Sequence, residues 1–273
     1  MININAELLP DQLLLDAYVP RPLHKGSCML TLTLKHSPFT NLAKHKNHAV
    51  LNTPCRDEFP MDGYHLLGAL VRESLLRKGT YSVHSTCIDG HLIVAHSGGG
   101  KSSVLLECIQ QGMGKVVSGN KTLLCLNEGQ MRAIGGTRTM TVGKEAFDQQ
   151  VNMHIPDVKV YGDRVAFKLN SELYDEMPQS IQAVWMVKLT NEPLKYQEMS
   201  KMSALHKLFP FFMDTVNASV VLGEGEAVFQ PDDKAAEGKL PGLLFQALKN
   251  IQVFEVSGTR QDTAKLIKEG DIK

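Results

Sequence analysis

The segment from residue 91 to residue 112, HLIVAHSGGGKSSVLLECIQQG, constrains the fold more than any other stretch of the chain. Its apolar residues 92–95 predict a strand, and residues 102–112 predict a helix that ends at Gly112. Three glycines, a lysine and several serines lie between the two elements. A strand, a glycine-rich loop and a helix in this order are typical of phosphate sites, because a helix N-terminus presents unpaired N–H groups to an anion.

Residues 95–102, AHSGGGKS, fit the P-loop pattern with alanine in place of the first glycine. Glycines allow backbone N–H groups to approach phosphates closely, and the lysine that follows them is placed to reach the β- and γ-phosphates. The leading interpretation is an ATP-dependent enzyme that acts on the γ-phosphate, and the alternative is a purely structural turn. The predicted nucleotide-binding residues are Ser97, Gly98, Gly99, Gly100, Lys101, Ser102 and Ser103, with the Ser102 hydroxyl as a ligand of Mg²⁺.

Composition narrows the class of partner. The 273 residues include 29 Lys and Arg against 29 Asp and Glu, so the net charge predicts neither a nucleic acid nor an anionic membrane as partner. Five scattered cysteines form no CxxC pair, which favours reduced thiols in a cytoplasmic protein. We therefore expect a cytoplasmic protein whose chain has no apolar run near the roughly 20 residues of a membrane helix and no signal peptide.

The pattern of apolar residues predicts a mixed α and β protein, with mixed β-sheets and flanking helices. Residues 1–80 are expected to form an N-terminal strand and helix extension, and residues 81–273 a nucleotide-binding core. The predicted elements are an edge or meander strand at 28–36, a loop at 37–60, a helix at 62–79, a hairpin at 81–96 about Asp89-Gly90, two strands within 115–136, a hairpin at 157–169, a buried strand at 181–190, a helical stretch at 196–216 interrupted by Pro210, a polar loop at 223–242, a short helix at 240–250, a strand at 251–258 and a helix at 259–270.

The region around the glycine loop resembles the HPr kinase/phosphorylase superfamily, whose fold is related to the nucleotide-binding core of phosphoenolpyruvate carboxykinase. The similar residues are VHSTCIDG at 83–90, HLIVA at 91–95 and the loop itself. In that family a strand that begins with histidine, a hairpin turn and an apolar strand precede a Ser-Gly-x-Gly-Lys-Ser loop. The resemblance continues through GMGKVVS at 112–118, IGGTR at 134–138 and the C-terminal segment 251–267, and it spans about residues 81–270.

The resemblance implies a kinase that transfers the γ-phosphoryl group of ATP to a hydroxyl of a protein or peptide serine or of a small metabolite. It leaves open the nucleotide base, ATP or GTP, and the identity of the acceptor. Residues 1–80, and with them the polar loop at 223–242, are expected to define the acceptor. It also allows a homo-oligomer, since HPr kinases assemble into hexamers.

The chain departs from the family at one place. After the second strand the family usually carries two aspartates, one for the metal and one as base, whereas this sequence reads Gly119-Asn120 followed by Lys121. Three explanations are open: the base comes from elsewhere, such as His84 or Glu128; Lys121 replaces the missing electrostatic work by contacting phosphate; or the protein binds a nucleotide without efficient transfer and acts as a regulatory or scaffold protein.

The predicted catalytic residues are His84, Asn120, Lys121 and Arg138. His84 holds the family position and has a side chain suited to proton transfer, but a histidine bonded within a strand is the structural alternative. Asn120 and Lys121 follow a strand end, where sites of α/β proteins gather, although a turn residue and a solvated charge look the same in sequence. Arg138 is either a phosphate clamp or half of an ordinary ion pair.

Three further positions receive weaker predictions. His96, inside the loop, either lines the site or faces solvent, and Glu128 in an Asn-Glu-Gly turn is expected at the surface. Asp232-Asp233 is more readily explained by a solvated loop than by a metal site.

Overall fold

The computed structural model describes residues 2–7, 9–22, 30–55, 57–150, 155, 157–217, 219–230 and 234–270. Over these residues the chain is mixed α and β, as the sequence predicts. None of the helices in this part of the chain has the length and apolar character needed to cross a lipid bilayer. Cys28 and Asp232-Asp233 lie outside the described residues.

The elements alternate along the chain without an internal repeat. The helices are α1 (Gln12–Tyr18), α2 (Met61–Leu76), α3 (Lys101–Gln110), α4 (Lys144–Gln150), α5 (Lys201–Asn217), α6 (Lys234–Leu248) and α7 (Arg260–Glu269), with 3₁₀ turns at Ser171–Leu173 and Gly223–Gly225. The strands are β1 (Ile2–Asn5), β2 (Arg21–Pro22), β3 (Leu30–His36), β4 (Asn41–His45), β5 (His48–Thr53), β6 (Thr80–Val83), β7 (Ser85–Ile88), β8 (His91–Val94), β9 (Val116–Ser118), β10 (Thr122–Asn127), β11 (Gln130–Gly136), β12 (Thr139–Gly143), β13 (Asp157–Tyr161), β14 (Arg164–Lys168), β15 (Gln179–Ser180), β16 (Ala183–Leu189), β17 (Lys195–Glu198), β18 (Val220–Leu222), β19 (Ala227–Phe229) and β20 (Gln252–Gly258).

The largest sheet among the described residues has six strands, in the order β17-β20-β16-β8-β7-β9. Strand β16 runs parallel to both β8 and β20. Its consecutive residues Val184 and Trp185 are buried in two different core clusters, so both of its faces are covered, as its nearly continuous apolar sequence requires. Trp185 of β16 is buried, stacks on Phe254 with ring centroids 4.5 Å apart, and donates from Nε1 to Nδ1 of His91 at 2.9 Å. The predicted hairpin about Asp89-Gly90 is confirmed as β7 and β8.

The other sheets have fewer strands. Strands β15-β11-β10-β6 form a second sheet, with β2 paired to β11, and β12-β14-β13 form a third. The N-terminal sheet has the order β1-β3-β5-β4 and packs on α1 and α2, while β18 and β19 form a two-stranded ribbon. The hairpin β13–β14 confirms the prediction for residues 157–169, and β9 and β10 confirm the two strands predicted within 115–136. A third strand, β11, follows the turn at Asn127 and pairs with β10.

Four sequence predictions need correction. Strand β3 is not an edge, because β1 and β5 both pair with it in parallel; its half-polar pattern reflects one exposed face of the sheet. Residues 37–60 are not a loop, since they contain the antiparallel pair β4–β5, which turns at Lys46 with φ +52°. The predicted polar loop at 223–242 contains β19 and the first half of α6, a helix that includes Pro241. The first part of the predicted 81–96 hairpin is a separate strand, β6, which belongs to another sheet, so the chain changes sheets at His84.

Candidate functional site

The glycine loop leaves β8 at its carboxyl end and enters α3 at Lys101. Gly98 and Gly100 have φ values of +74° and +95°, in the left-handed region that favours glycine. The loop is closed by Gly99 N–H donating to the His96 carbonyl at 2.9 Å, and tied to β16 by Leu189 N–H donating to the Gly99 carbonyl at 3.2 Å. The first turn of α3 therefore directs its free N–H groups and the positive end of its dipole at the space above the loop.

One predicted catalytic side chain contacts the lysine of this loop, and a second one contacts the first. Lys101 is buried, and its Nζ lies 2.6 Å from Nε2 of His84. The same Nε2 lies 3.2 Å from Oδ1 of Asn120. One ring nitrogen cannot accept a proton from Lys101 and donate one to Asn120 at once, so the two partners compete for it. An anion that draws Lys101 away would release Nε2 of His84.

The electrostatics of the site favour a neutral His84 beside charged lysines. Desolvation by the surrounding protein, with the charges of Lys101, Lys121 and Arg164, lowers the pKa of His84 to about 4, although the side chain remains accessible to solvent. Burial, and then the charge of Arg164, lowers the pKa of Lys101 to about 8. Burial, and then the charge of Arg72, lowers the pKa of Lys121 to about 8. Every charge that shifts the His84 pKa is positive, which makes the site attractive to a polyanion.

Thr137, which sequence reasoning did not select, shapes the turn that carries Asn120. Its buried hydroxyl accepts from the N–H groups of Asn120 at 3.2 Å and Lys121 at 3.0 Å, while its carbonyl accepts from Gly119 N–H at 2.8 Å. A Cβ on Gly119 would lie 2.7 Å from the Met140 side chain, so glycine is required for this close approach. Thr137 therefore acts as a positioning residue.

A buried hydroxyl network fixes the two strand ends below His84 and Asn120. The Ser85 hydroxyl donates to Oγ1 of Thr122 at 2.8 Å, and the Ser118 hydroxyl lies 2.6 Å from the same atom. All three side chains are fully buried. Because Ser85 follows His84 and Ser118 precedes the Gly119 turn, the network holds the two site segments in fixed register.

Lys121 points toward the N-terminal part of the chain rather than toward Lys101. Its Nζ donates to the Tyr18 carbonyl at 3.2 Å and lies 5.9 Å from the centroid of the Tyr18 ring. Its charge still reaches the site, because it contributes to the low pKa of His84. Lys121 thus joins the glycine-loop site to α1.

The remaining predicted residues lie apart. Arg138 donates to the Glu176 carboxylate at 2.8 Å and to the Asp175 carbonyl at 3.3 Å, which is the ion-pair alternative raised by the sequence. The ring of His96 packs against that of Phe211, with centroids 5.2 Å apart and planes tilted by 36°. Glu128 lies in the turn at the end of β10 that is opposite to Lys121. Because a strand rises by about 3.3 Å per residue, the two residues are roughly 20 Å apart. Neither Glu128 nor Arg138 contacts Lys101 among the described residues.

Arg164 is the charged residue that sequence reasoning missed. It opens β14 after the turn at Gly162-Asp163 and donates weakly to Oγ1 of Thr141 at 3.4 Å. Its charge lowers the pKa values of both His84 and Lys101, so it lies within electrostatic reach of the glycine loop. A lone arginine after a turn carries no local signal of this role, because only the pairing of β14 with β12 brings it near.

The titration of His84 tests this geometry directly. We expect an NMR titration of the imidazole to give a pKa of about 4 in the free protein, so the ring is neutral at pH 7. Binding of Mg-ATP should raise this pKa by at least about 1 unit, because the triphosphate offsets the charges of Lys101 and Lys121. A pKa above 6 in the free protein would contradict the described contacts.

Comparison of the chain with protein-family models and with curated proteins finds no match in either case.

Proposed function

We propose that the chain is an ATP-dependent phosphotransferase of HPr kinase-like fold, built on a P-loop core. ATP would bind over the glycine loop, and its γ-phosphoryl group would pass to the hydroxyl of an acceptor. We also propose a cytoplasmic setting, where ATP is supplied; the free thiols of Cys55, Cys87, Cys108 and Cys125 fit a reducing compartment.

One observation carries the proposal: the loop-borne Lys101 converges with His84 in a site whose surrounding charges are positive. A buried ammonium with a lowered pKa gains from an anionic partner, and the loop supplies N–H groups for the same anion. The left-handed Gly98 and Gly100 give the backbone path that such a cradle needs.

The residues divide the chemical work. Lys101, with the N–H groups of the loop, would bind the β- and γ-phosphates and stabilise charge that develops between them. Asn120 would donate from its side-chain amide to the oxygen of the acceptor hydroxyl and orient it, which leaves the single hydroxyl proton for His84. In the transfer, the hydroxyl oxygen forms a bond to the γ-phosphorus, and the bridging P–O bond breaks with its electron pair remaining on ADP. The hydroxyl proton passes to Nε2 of His84 once Lys101 has turned to the phosphates.

The residues also fit a nucleotide-borne Mg²⁺. No group of three His, Cys, Asp or Glu side chains in the described part of the chain could hold a metal ion, so the phosphates would bring most of the ligands. The Ser102 hydroxyl, a hard oxygen ligand in the first turn of α3, would hold it from the protein side. When bound, Mg²⁺ supplies further neutralisation of phosphate charge.

A nucleotide-binding regulatory or scaffold protein is the second candidate. It is favoured by Gly119-Asn120 at the position where the resembled family carries two aspartates. Asn120 orients a hydroxyl but removes no proton, and the low pKa of His84 makes it a weak base in the free protein. Phosphoryl transfer depends mainly on positioning and charge neutralisation. The absence of the two aspartates therefore slows turnover without preventing it.

The test is incubation of the purified protein with Mg-ATP, alone and with candidate hydroxyl acceptors, followed by quantification of ADP and phosphorylated product. We expect tight Mg-ATP binding by calorimetry and ADP formation that an acceptor accelerates by at least about tenfold. Binding without turnover against any acceptor would favour the regulatory candidate. Failure to bind ATP or GTP would overturn both.

A further inference from the structure

Helix α2 has a glycine near its middle, at position 68, where the carboxyl end of α1 packs against it. A glycine inside a helix costs roughly 0.5–1 kcal/mol relative to alanine, so a close contact is its usual reason. A Cβ at this position would lie 2.7 Å from the carbonyl oxygen of Tyr18, the last residue of α1, and 3.9 Å from Nζ of Lys121. Gly68 therefore allows the ammonium group of Lys121 to lie against the surface of α2.

Lys121 uses only part of its hydrogen-bonding capacity. An ammonium group has three N–H donors, and among the described residues that of Lys121 makes one hydrogen bond, to the Tyr18 carbonyl at 3.2 Å. None of the described carboxylates forms an ion pair with it, although a lysine withdrawn from solvent is usually paired. Because the residue is only partly buried, a ligand from solvent can reach the remaining donors.

The same face of α2 presents two more basic side chains. His65 precedes Gly68 by three residues and Arg72 follows it by four, so the three positions lie on one face of the helix. The rings of His65 and Tyr18 meet edge to face, with centroids 4.7 Å apart. Helical side chains lean toward the N-terminus of their helix, so Arg72 extends over the turn that carries Gly68. An imidazole and a guanidinium therefore flank the ammonium group of Lys121.

The charges of this cluster favour a dianion. Burial, and then the charge of Arg72, lowers the pKa of Lys121 to about 8, so both side chains are cationic at pH 7. Burial, and then the charge of Lys121, lowers the pKa of His65, so its ring is neutral and its N–H is a donor. Asp62, whose charge acts on His65 in the opposite direction, accepts from Gly223 N–H at 2.9 Å. A phosphate group carries a charge of about −1.5 to −2 at pH 7 and matches two cations, whereas a carboxylate matches one.

This cluster is separate from the glycine loop. Nζ of Lys101 lies 2.6 Å from Nε2 of His84, whereas Nζ of Lys121 contacts Tyr18. Asn120, whose Oδ1 lies 3.2 Å from the same His84 nitrogen, is the neighbour of Lys121 in sequence, so the two sites lie on either side of one turn. Lys101 would bind the phosphates of a nucleotide over the loop, and the donors of Lys121 would stay available for a second anion.

We propose that Lys121, His65 and Arg72 form a second anion site, which binds inorganic phosphate or the phosphate group of a small phosphate monoester. Lys121 and Arg72 would each donate charge-assisted hydrogen bonds to phosphate oxygens, and the ring N–H of His65 would donate a further one. No atom of the glycine loop takes part, so this inference does not rest on the proposed function.

The test keeps the glycine loop occupied. The full chain is saturated with a non-hydrolysable Mg-ATP analogue and titrated with inorganic phosphate, glycerol 3-phosphate or acetate, each followed by calorimetry. We expect one phosphate group to bind per chain, at least about tenfold more tightly than acetate. Tighter binding of glycerol 3-phosphate than of inorganic phosphate would identify the ligand as a monoester, and the reverse order would identify it as the free anion.

Two pairs of variants assign the binding to this cluster. Lys121→Met and Arg72→Met should each weaken phosphate binding at least about tenfold, because each removes one charge and keeps an apolar stem. Lys195→Met in β17 and Arg77→Met at the end of α2 are the matched controls and should leave it unchanged. Arg77 is 51% exposed and pairs with Glu73 at 3.2 Å. Lys121→Arg retains the charge and should bind phosphate within about threefold of wild type.

The outcomes separate this inference from the proposed function. Equal affinity for acetate and phosphate, no phosphate binding, or unchanged binding by Lys121→Met would overturn the second site and leave Lys121 as a cap of the last carbonyl of α1. If Lys121→Met fails to fold, the comparison of Lys121→Arg with Arg72→Met decides instead. A tenfold loss of Mg-ATP affinity in Lys121→Met would place Lys121 on the nucleotide and also overturn a separate site. If the wild-type protein binds phosphate but no nucleotide, only the proposed function fails.

Discussion

Replacing Lys101 with methionine is expected to weaken Mg-ATP binding by about 100-fold or more while raising the melting temperature of the nucleotide-free protein. Methionine keeps the apolar stem of the side chain and removes its charge. The loss of affinity follows from the charge-assisted bonds to phosphate, each of which contributes about 1.5–3 kcal/mol. Calorimetry with Mg-ATP and thermal unfolding without it measure the two effects separately.

The gain in stability has a definite pH dependence. Burial lowers the pKa of Lys101 to about 8 from an ordinary value of 10.5, so at pH 7 the folded protein bears the penalty of a desolvated charge. Below pH 8 this penalty is fully present, and between pH 8 and pH 10.5 it is lost. We therefore expect the variant to unfold roughly 5 °C higher than wild type at pH 7, with a difference that shrinks as pH rises.

Lys195→Met is the matched control, because Lys195 is an exposed lysine of β17 that pairs only with Glu192 at 3.1 Å among the described residues. It should change neither Mg-ATP affinity nor melting temperature measurably. If Lys101→Met binds Mg-ATP as tightly as wild type, the glycine loop does not use its lysine for phosphate. If the Mg-ATP affinity and the melting temperature of Lys101→Met both fall sharply, the loss of binding reflects unfolding. In that case Lys101→Arg, which retains the charge, should restore binding.

The strand-loop-helix unit was predictable from sequence because its signals are local. Residues 92–95 are a continuous apolar run, the glycines permit the turn, and Gly112 with φ +75° ends α3 where the sequence predicts. The pair β4–β5 was missed for the converse reason. It turns at Lys46-Asn47 without a glycine, and β4 is largely exposed, so neither apolar alternation nor a strong turn signal marks it.

Helix α6 shows how packing overrides local preference. Residues 234–242 contain two glycines and Pro241, which favour a loop, yet Leu240 and Leu244 are fully buried in the main core cluster. Similarly, Pro210 lies inside α5, whose Leu208 and Phe212 belong to the same cluster. Burial of the flanking apolar residues outweighs the loss of a helical hydrogen bond at each proline.

The site was predictable only in part, because contacts between distant segments decide it. His84 and Asn120, 36 residues apart, come into contact because β7 pairs with β9, and His84 meets Lys101 because β7 also pairs with β8. Thr137, Tyr18 and Arg164 have no motif, and their positions depend on how β11, α1 and β14 pack. Arg138 matched a family pattern in sequence, but in the structure it pairs with Glu176 and donates to the Asp175 carbonyl.

The second large effect is expected at Gly100, the residue that caps α3. A Cβ there would lie 2.3 Å from Cδ1 of Leu189, and φ is +95°, a conformation that L side chains rarely adopt. Strain and overpacking together should destabilise Gly100→Ala by roughly 2–4 kcal/mol, which lowers the melting temperature by about 10 °C. Because Leu189 N–H holds the Gly99 carbonyl, displacement of Leu189 would also distort the loop and reduce Mg-ATP affinity at least about tenfold.

Gly98→Ala isolates the contribution of Leu189. Gly98 shares the left-handed conformation, with φ +74°, but among the described residues a Cβ there meets nothing within 4 Å. Gly98→Ala should therefore lower the free energy of unfolding only by the cost of the left-handed backbone conformation, about 1–2 kcal/mol. In the Leu189→Ala background the space beside Gly100 opens, and the difference between the two alanine variants should fall to within about 0.5 kcal/mol. Thermal unfolding of six proteins measures this coupling: the wild type, Gly98→Ala and Gly100→Ala, each with and without Leu189→Ala. An unchanged difference would show that the Leu189 side chain does not restrict the space for a side chain at position 100.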